Sequence, residues 1–153
     1  YAVRDGLVVV SEFTDGRLRR IDPGSSEPVA FTPELAVRYG GLVLHGDHVY
    51  AVREDHRGDG EPVNELVRLD LHGDNADGGV VLAAGSDFVS RPAVAPDGTA
   101  IAWIAWDHPN MPWDSTRLLV ADLGAQGASR PRVVAGGDGI AVSQPQFGPD
   151  GSV

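Results

Sequence analysis

The run Ala100 to Trp106, AIAWIAW, limits what this chain can fold into more than any other stretch. In an extended strand, Ala100, Ala102, Ile104 and Trp106 point one way and Ile101, Trp103 and Ala105 the other. A strand with one wet face alternates apolar with polar residues. This one alternates apolar with apolar, so it needs cover on both sides. It follows a tight turn, Pro96-Asp97-Gly98, in which Asp can bond its own backbone and Gly supplies positive φ. Ala93 to Ala95 leads into that turn, and Arg117 to Leu123 returns after a long loop.

The pattern recurs. Ser90 to Ala100 reads SRPAVAPDGTA, and Ser143 to Val153 reads SQPQFGPDGSV. Turn aspartates stand at Asp5, Asp47, Asp97 and Asp150, spaced by 42, 50 and 53 residues. The third strand of each unit also repeats, as RLRRID, ELVRLDL and RLLVADL. Short apolar runs punctuated by Gly, Asp and Pro fill the chain, and no stretch has the period of an amphipathic helix.

Within the units, strands are expected at Tyr1–Arg4, Leu7–Phe13, Arg17–Asp22 and Pro28–Thr32. The second unit supplies Leu42–His45, His48–Glu54, Asn64–Leu71 and Val80–Ala84. The third supplies Ala93–Ala95, Ala100–Trp106, Arg117–Leu123 and, after a loop from Gly124 to Pro131, Arg132–Ala135. Units of about 40–50 residues holding four strands each describe propeller blades.

The expected fold is all-β: a partial β-propeller of about three four-stranded antiparallel blades plus the first strand of a fourth. The blades fall at about 1–38, 39–89 and 90–142, and the fourth starts at 143–153. A closed propeller takes about 4–8 blades, and the chain starts at Tyr1 without Met. It therefore reads as a fragment of one propeller domain of a longer protein, with open blade faces prone to self-association or instability.

Charge removes several partners. With 22 acidic and 12 basic residues, net −10, the chain repels nucleic-acid phosphate and anionic lipid. No apolar stretch approaches the 18 residues or so of a membrane helix. There is no Cys, which rules out disulfides, thiolate metal sites and a cysteine nucleophile; a cytoplasmic location fits. Gly136-Gly137-Asp138-Gly139 is Gly-rich, but no helix follows it to bind phosphate. No cofactor is expected.

Two long loops carry the functional groups. One holds Glu54, Asp55, His56, Arg57 and Glu61, whose carboxylates suit a peptide ammonium and whose Arg suits a peptide carboxylate. The same groups can instead pair with one another. Their spacing is not that of a calcium loop, and no metal site is expected. The other loop holds Asp107, His108, Asn110, Met111 and Trp113, stiffened by Pro109 and Pro112. Stiff loops with Trp and Met suit contact surfaces; alternatively Trp113 packs over Trp106 or Trp103 and closes its blade. Both loops join second to third strands, so a propeller places them side by side on one face. His45, His48 and His72 fall at turns or strand ends and read as surface histidines.

At Asp55-His56-Arg57-Gly58, Glu61-Pro62-Val63-Asn64-Glu65-Leu66 and Trp106-Asp107-His108-Pro109-Asn110-Met111-Pro112-Trp113, the sequence resembles the N-terminal propeller of bacterial prolyl oligopeptidase-family serine peptidases, of the dipeptidyl aminopeptidase and acylaminoacyl peptidase kind. The pattern at Arg91–Thr99 and Gln144–Ser152 is similar to the broader TolB-like, WD40-like propeller repeat. The resemblance implies a C-terminal α/β-hydrolase domain outside this chain, with the propeller gating access of short peptides and helping to bind them. The hydrolase nucleophile elbow, G-x-S-x-G, is absent: Ser26 and Ser129 each have the first Gly but Pro in place of the second. No catalytic residue is therefore assigned. Nor is there a Glu-Glu pair of the type dipeptidyl peptidases use for the substrate amine. Two other readings remain open: a TolB-like propeller acting purely as a protein–protein scaffold, and a propeller enzyme with its own channel metal.

Overall fold

The computed structural model describes residues 1–124 and 127–153. Among them there is no helix; thirteen strands form three antiparallel sheets. The first sheet has the order β1 (Ala2–Arg4), β2 (Leu7–Ser11), β3 (Leu18–Ile21), β4 (Val29–Ala30). The second has β5 (Val37–His45), β6 (His48–Asp55), β7 (Val63–Asp70), β8 (Val80–Ala83). In the third, β11 (Ala100–Trp106) pairs on one side with both β9 (Phe88–Val89) and β10 (Ala93–Val94). On its other side come β12 (Arg117–Gly124) and then β13 (Gly127–Gly136). Each sheet is an up-and-down meander, and together they make a partial propeller.

Burial follows the two-sided pattern of the sequence. Val49 and Ala51 of β6, with Val67 and Leu69 of β7, pack on Val9, Leu18 and Phe31 of the first sheet. The intervening Tyr50 and Leu66 face the other way, onto Ile101, Trp103 and Ala105 of β11. The second sheet is thus the filling between two others, which is why Val49–Val52 of β6 and Leu66–Val67 of β7 are apolar on both faces. On the far face of β11, Ala102 and Ile104 are also buried. The segment from Val142 to Phe147 lies opposite Ile104 and Trp106 there, across a cleft.

The turns recur as the sequence repeats. Asp97 Oδ1 accepts from the Thr99 amide at 3.0 Å and its hydroxyl at 2.8 Å. Asp150 Oδ1 accepts the same pair from Ser152 at 3.1 and 2.7 Å. These bonds hold both carboxyls below the usual carboxylate range. The segment from Gln144 to Val153 makes this turn but joins no sheet among the described residues.

Three elements differ from expectation. The second sheet already begins at Val37 and Arg38, which pair with Asp55 and Glu54. Phe88–Val89, where no strand is expected, pairs with Trp106 and Ala105. It continues the line of β10 across Ser90–Pro92, where proline has no N–H to give to the ladder. The strand expected at Arg132–Ala135 extends back to Gly127. The loop expected from Gly124 to Pro131 includes Ala125 and Gln126, which lie outside the described residues.

Inner strands come together: β5 touches both β1 and β10. Gly41 makes this possible. It sits in a bulge of β5 at φ 59°, and a Cβ there would come within 2.9 Å of the Arg91 Cα.

Candidate functional site

The β6–β7 loop follows Asp55 and the β11–β12 loop follows Trp106, so both leave their sheets at the same end. A cavity of about 380 Å³ lies between them. Glu54, Glu61 and Pro62 line it from the first loop and His108 from the second; Asn64, Ser86, Asp87 and Phe88 complete the wall. Of the sequence-predicted residues, the structure brings Glu54, Glu61 and His108 around this one space.

The connector Gly85–Phe88 is stapled to the second loop. Asp87 Oδ2 accepts the His108 amide at 2.8 Å and lies 3.0 Å from His108 Nδ1. In return, Asp107 Oδ1 accepts the Asp87 amide at 2.9 Å. Asp107 Oδ2 is held by Arg117 at 2.5 Å, and Arg117 also reaches the Ser86 hydroxyl at 3.3 Å. Asn64 donates to the Asp87 carbonyl at 2.8 Å. Below them, Phe88 stacks on Trp106 at 5.3 Å between centroids and meets the His108 ring at 4.9 Å. The hydrogen bonds from His108, backbone first, hold the Asp87 carboxyl below its ordinary value. The cavity wall therefore carries three carboxylates, an aromatic floor and no Arg.

Asp55 and Arg57 are engaged elsewhere. Arg57 grips the Asp55 carboxylate, with Nε–Oδ1 at 2.9 Å and Nη2–Oδ2 at 2.5 Å. That hydrogen bond, reinforced by the nearby Arg53, lowers the Asp55 pKa to about 2. Arg53 is 4% exposed; it pairs with Glu65, donates to the Asp77 and Gly78 carbonyls, and lies 3.6 Å from Asp55. Tyr39 gives its hydroxyl hydrogen to the same Gly78 carbonyl, and burial pushes the phenol up to about 12. This network anchors the start of the first loop and leaves Asp55 and Arg57 paired with each other.

His56 lies 3.5 Å from Glu54 but lines a different groove, shared with Phe13 and Arg38. Asn110 gives its amide to the Asp107 carbonyl at 3.0 Å. Trp113 does not close the blade: it is 69% exposed, and Trp106 is stacked by Phe88 instead. Phe13, from the β2–β3 loop, is 82% exposed with Arg38 over its ring. Sequence reasoning missed Asp87 and Phe88 because a connector gives no sign of which loop it will touch. It missed Phe13 because it read the residue as the end of a strand. Among the described residues no group of His, Asp and Glu is arranged to hold a metal ion.

No family model matches the chain, and no curated protein does. Solved structures do. A puromycin-hydrolysing peptidase of Mycobacterium tuberculosis is 34% identical over 91% of this chain, with a TM-score of 0.78. A puromycin hydrolase is 32% identical over 96%, with a TM-score of 0.83. The chain spans about a quarter of the length of each, 24% and 25%. A putative TolB from Agrobacterium tumefaciens matches 96% of this chain and 52% of its own at 18% identity and a TM-score of 0.63, which speaks to the fold alone.

Proposed function

For a chain that belongs to the propeller region of the prolyl oligopeptidase-family peptidases, we propose that it gates access of short peptides and helps bind them for a hydrolase domain outside its own sequence. Its three sheets, the second starting at Val37 and the third at Phe88, serve as consecutive blades, and 143–153 starts a fourth. The observation that carries the reading is the cavity between the two long loops, where Glu54, Glu61 and Asp87 surround an aromatic floor. Carboxylates stabilise a primary ammonium by charge-assisted hydrogen bonds, and a ring face adds to that attraction. A peptide or aminoacyl compound with a free amino terminus fits this chemistry. The relatives' action on puromycin, an aminoacyl compound, fits the same class.

In this reading Glu54, Glu61 and His108 contact substrate. Asp55, Arg57 and Asp107 hold the loops in place. His56, Asn110 and Trp113 lie toward the neighbouring domain. The scaffold reading draws on the exposed Phe13, Met111 and Trp113, which suit a protein contact.

Kinetics of the full-length natural protein separate the two. Glu54→Gln/Glu61→Gln lowers kcat/KM for a free-amine aminoacyl amide by about tenfold or more, since hydrogen bonds to charged groups contribute about 1.5–3 kcal/mol. The N-acetylated amide is unaffected. Equal losses on both substrates, or none on either, contradict the reading.

A further inference from the structure

The inner strands carry a charge opposite to that of the rest of the chain. Overall, acidic residues outnumber basic ones 22 to 12. Yet β1, β5 and the β9–β10 line contain Arg4, Arg38 and Arg91, and no Asp or Glu anywhere from Ala2 to Arg4, Val37 to His45 or Phe88 to Val94. In a propeller the innermost strands face the central channel. The wall there is cationic inside an anionic protein.

Two of these arginines share one groove. A space of about 510 Å³ is lined by Arg4 from β1, by Gly41, Leu42 and Leu44 from β5, and by Arg91. No carboxylate lines it. Arg91 makes no ion pair and no side-chain hydrogen bond among the described residues. Arg4 gives one hydrogen bond to the Gly46 carbonyl at 2.6 Å, and its only carboxylate neighbour among the described residues is the exposed Asp5 at 3.8 Å. The bulge at Gly41 lets β5 approach the Arg91 backbone, which fixes where that guanidinium starts.

We propose that this inner wall is an anion site in which Arg91 and Arg4 take the carboxylate of a short peptide or N-acylated amino acid. A planar guanidinium matches a carboxylate with two parallel N–H donors. A groove lined by one sign of charge also concentrates counter-charged ligands, the more so between low-dielectric walls. The site is separate from the acidic cavity at the loop ends and does not depend on that cavity's reading. A failure of either leaves the other standing.

The test is calorimetric titration of the full-length natural protein, at low and moderate salt, with N-acetylalanine, with its uncharged amide and with inorganic phosphate. The carboxylate binds at least about tenfold more tightly than the amide, and Arg91→Gln removes most of that difference. Arg91→Lys, which keeps the charge and loses the fork, retains part of it. Arg4→Gln, on β1, gives a second reading should the first variant melt early. Equal binding of carboxylate and amide overturns the proposal, as does a carboxylate affinity unchanged in both Gln variants. Phosphate binding as tightly as the carboxylate, and weakening with it in Arg91→Gln, overturns the carboxylate assignment.

Discussion

Consecutive residues on β7 give the sharpest test of stacked, two-sided sheets. Leu66 is 1% exposed and packs toward the third sheet; Val67 is 0% exposed and packs toward the first. Truncating Leu66 to Ala costs about 2–5 kcal/mol in transfer and cavity terms. Val67→Ala removes two methyl-sized groups, roughly 1.6 kcal/mol of transfer at about 0.8 each, and about 2–3 once the residual cavity is added. Val81, on the outer β8 and 42% exposed, is the control; its truncation stays within about 0.5 kcal/mol. Urea unfolding followed by circular dichroism reads these as midpoint shifts at constant slope. In thermal melts Leu66→Ala lowers Tm by about 5–15 °C for a chain of this size. Neighbours on a half-exposed strand would split, one costly and one neutral. If Val67→Ala unfolds with the wild type while Leu66→Ala does not, the second sheet is not sandwiched and the stacking argument fails.

Further outcomes follow from single contacts. Gly136→Ala places a Cβ 2.0 Å from the Thr116 carbonyl oxygen at φ 89°; it destabilises by at least about 2 kcal/mol, read by the same unfolding assay. Asp55 has its pKa lowered from 3.8 to about 2, so its contribution is full above the unfolded value and is lost as pH falls through the folded one. Asp55→Asn therefore flattens the stability profile between about pH 4 and pH 2, a region where the wild type declines. The 153-residue chain on its own self-associates through its outer sheet faces and edges, where Val3 and Val133 are exposed; light scattering shows its mass rising with concentration, and a monodisperse monomer contradicts this.

Much of the fold was legible because it rests on local chemistry. The turn aspartates and the doubly apolar strands recur in register, and each reports its own surroundings. Phe88–Val89 was hidden because Pro92 interrupts the inner strand, and a proline in sequence argues against a ladder that here resumes on either side of it. The early part of β13 was hidden because an outer strand can hold Ser, Arg and Pro, residues that also spell a loop. At the site, the sequence put the two loops on one face, and Glu54, Glu61 and His108 meet there. Pairing within the loop was one of its readings, and Arg57 does take Asp55; it could not show that the buried Arg53 joins them. That outcome depends on Arg53 being buried beneath a loop from residues 72–79, a tertiary fact with no local mark. Nor could it show Asp87 reaching His108, since the two stand 21 residues apart.

The central claim is that the loop face receives the amino end of a peptide. Its most direct measurement is a crystal structure of the full-length natural protein bound to an uncleaved peptide with a free amino terminus. The account predicts the ammonium within about 3.2 Å of a Glu54 or Glu61 carboxylate oxygen, over the Phe88 ring. An ammonium held by other groups, with this cavity empty, would contradict it.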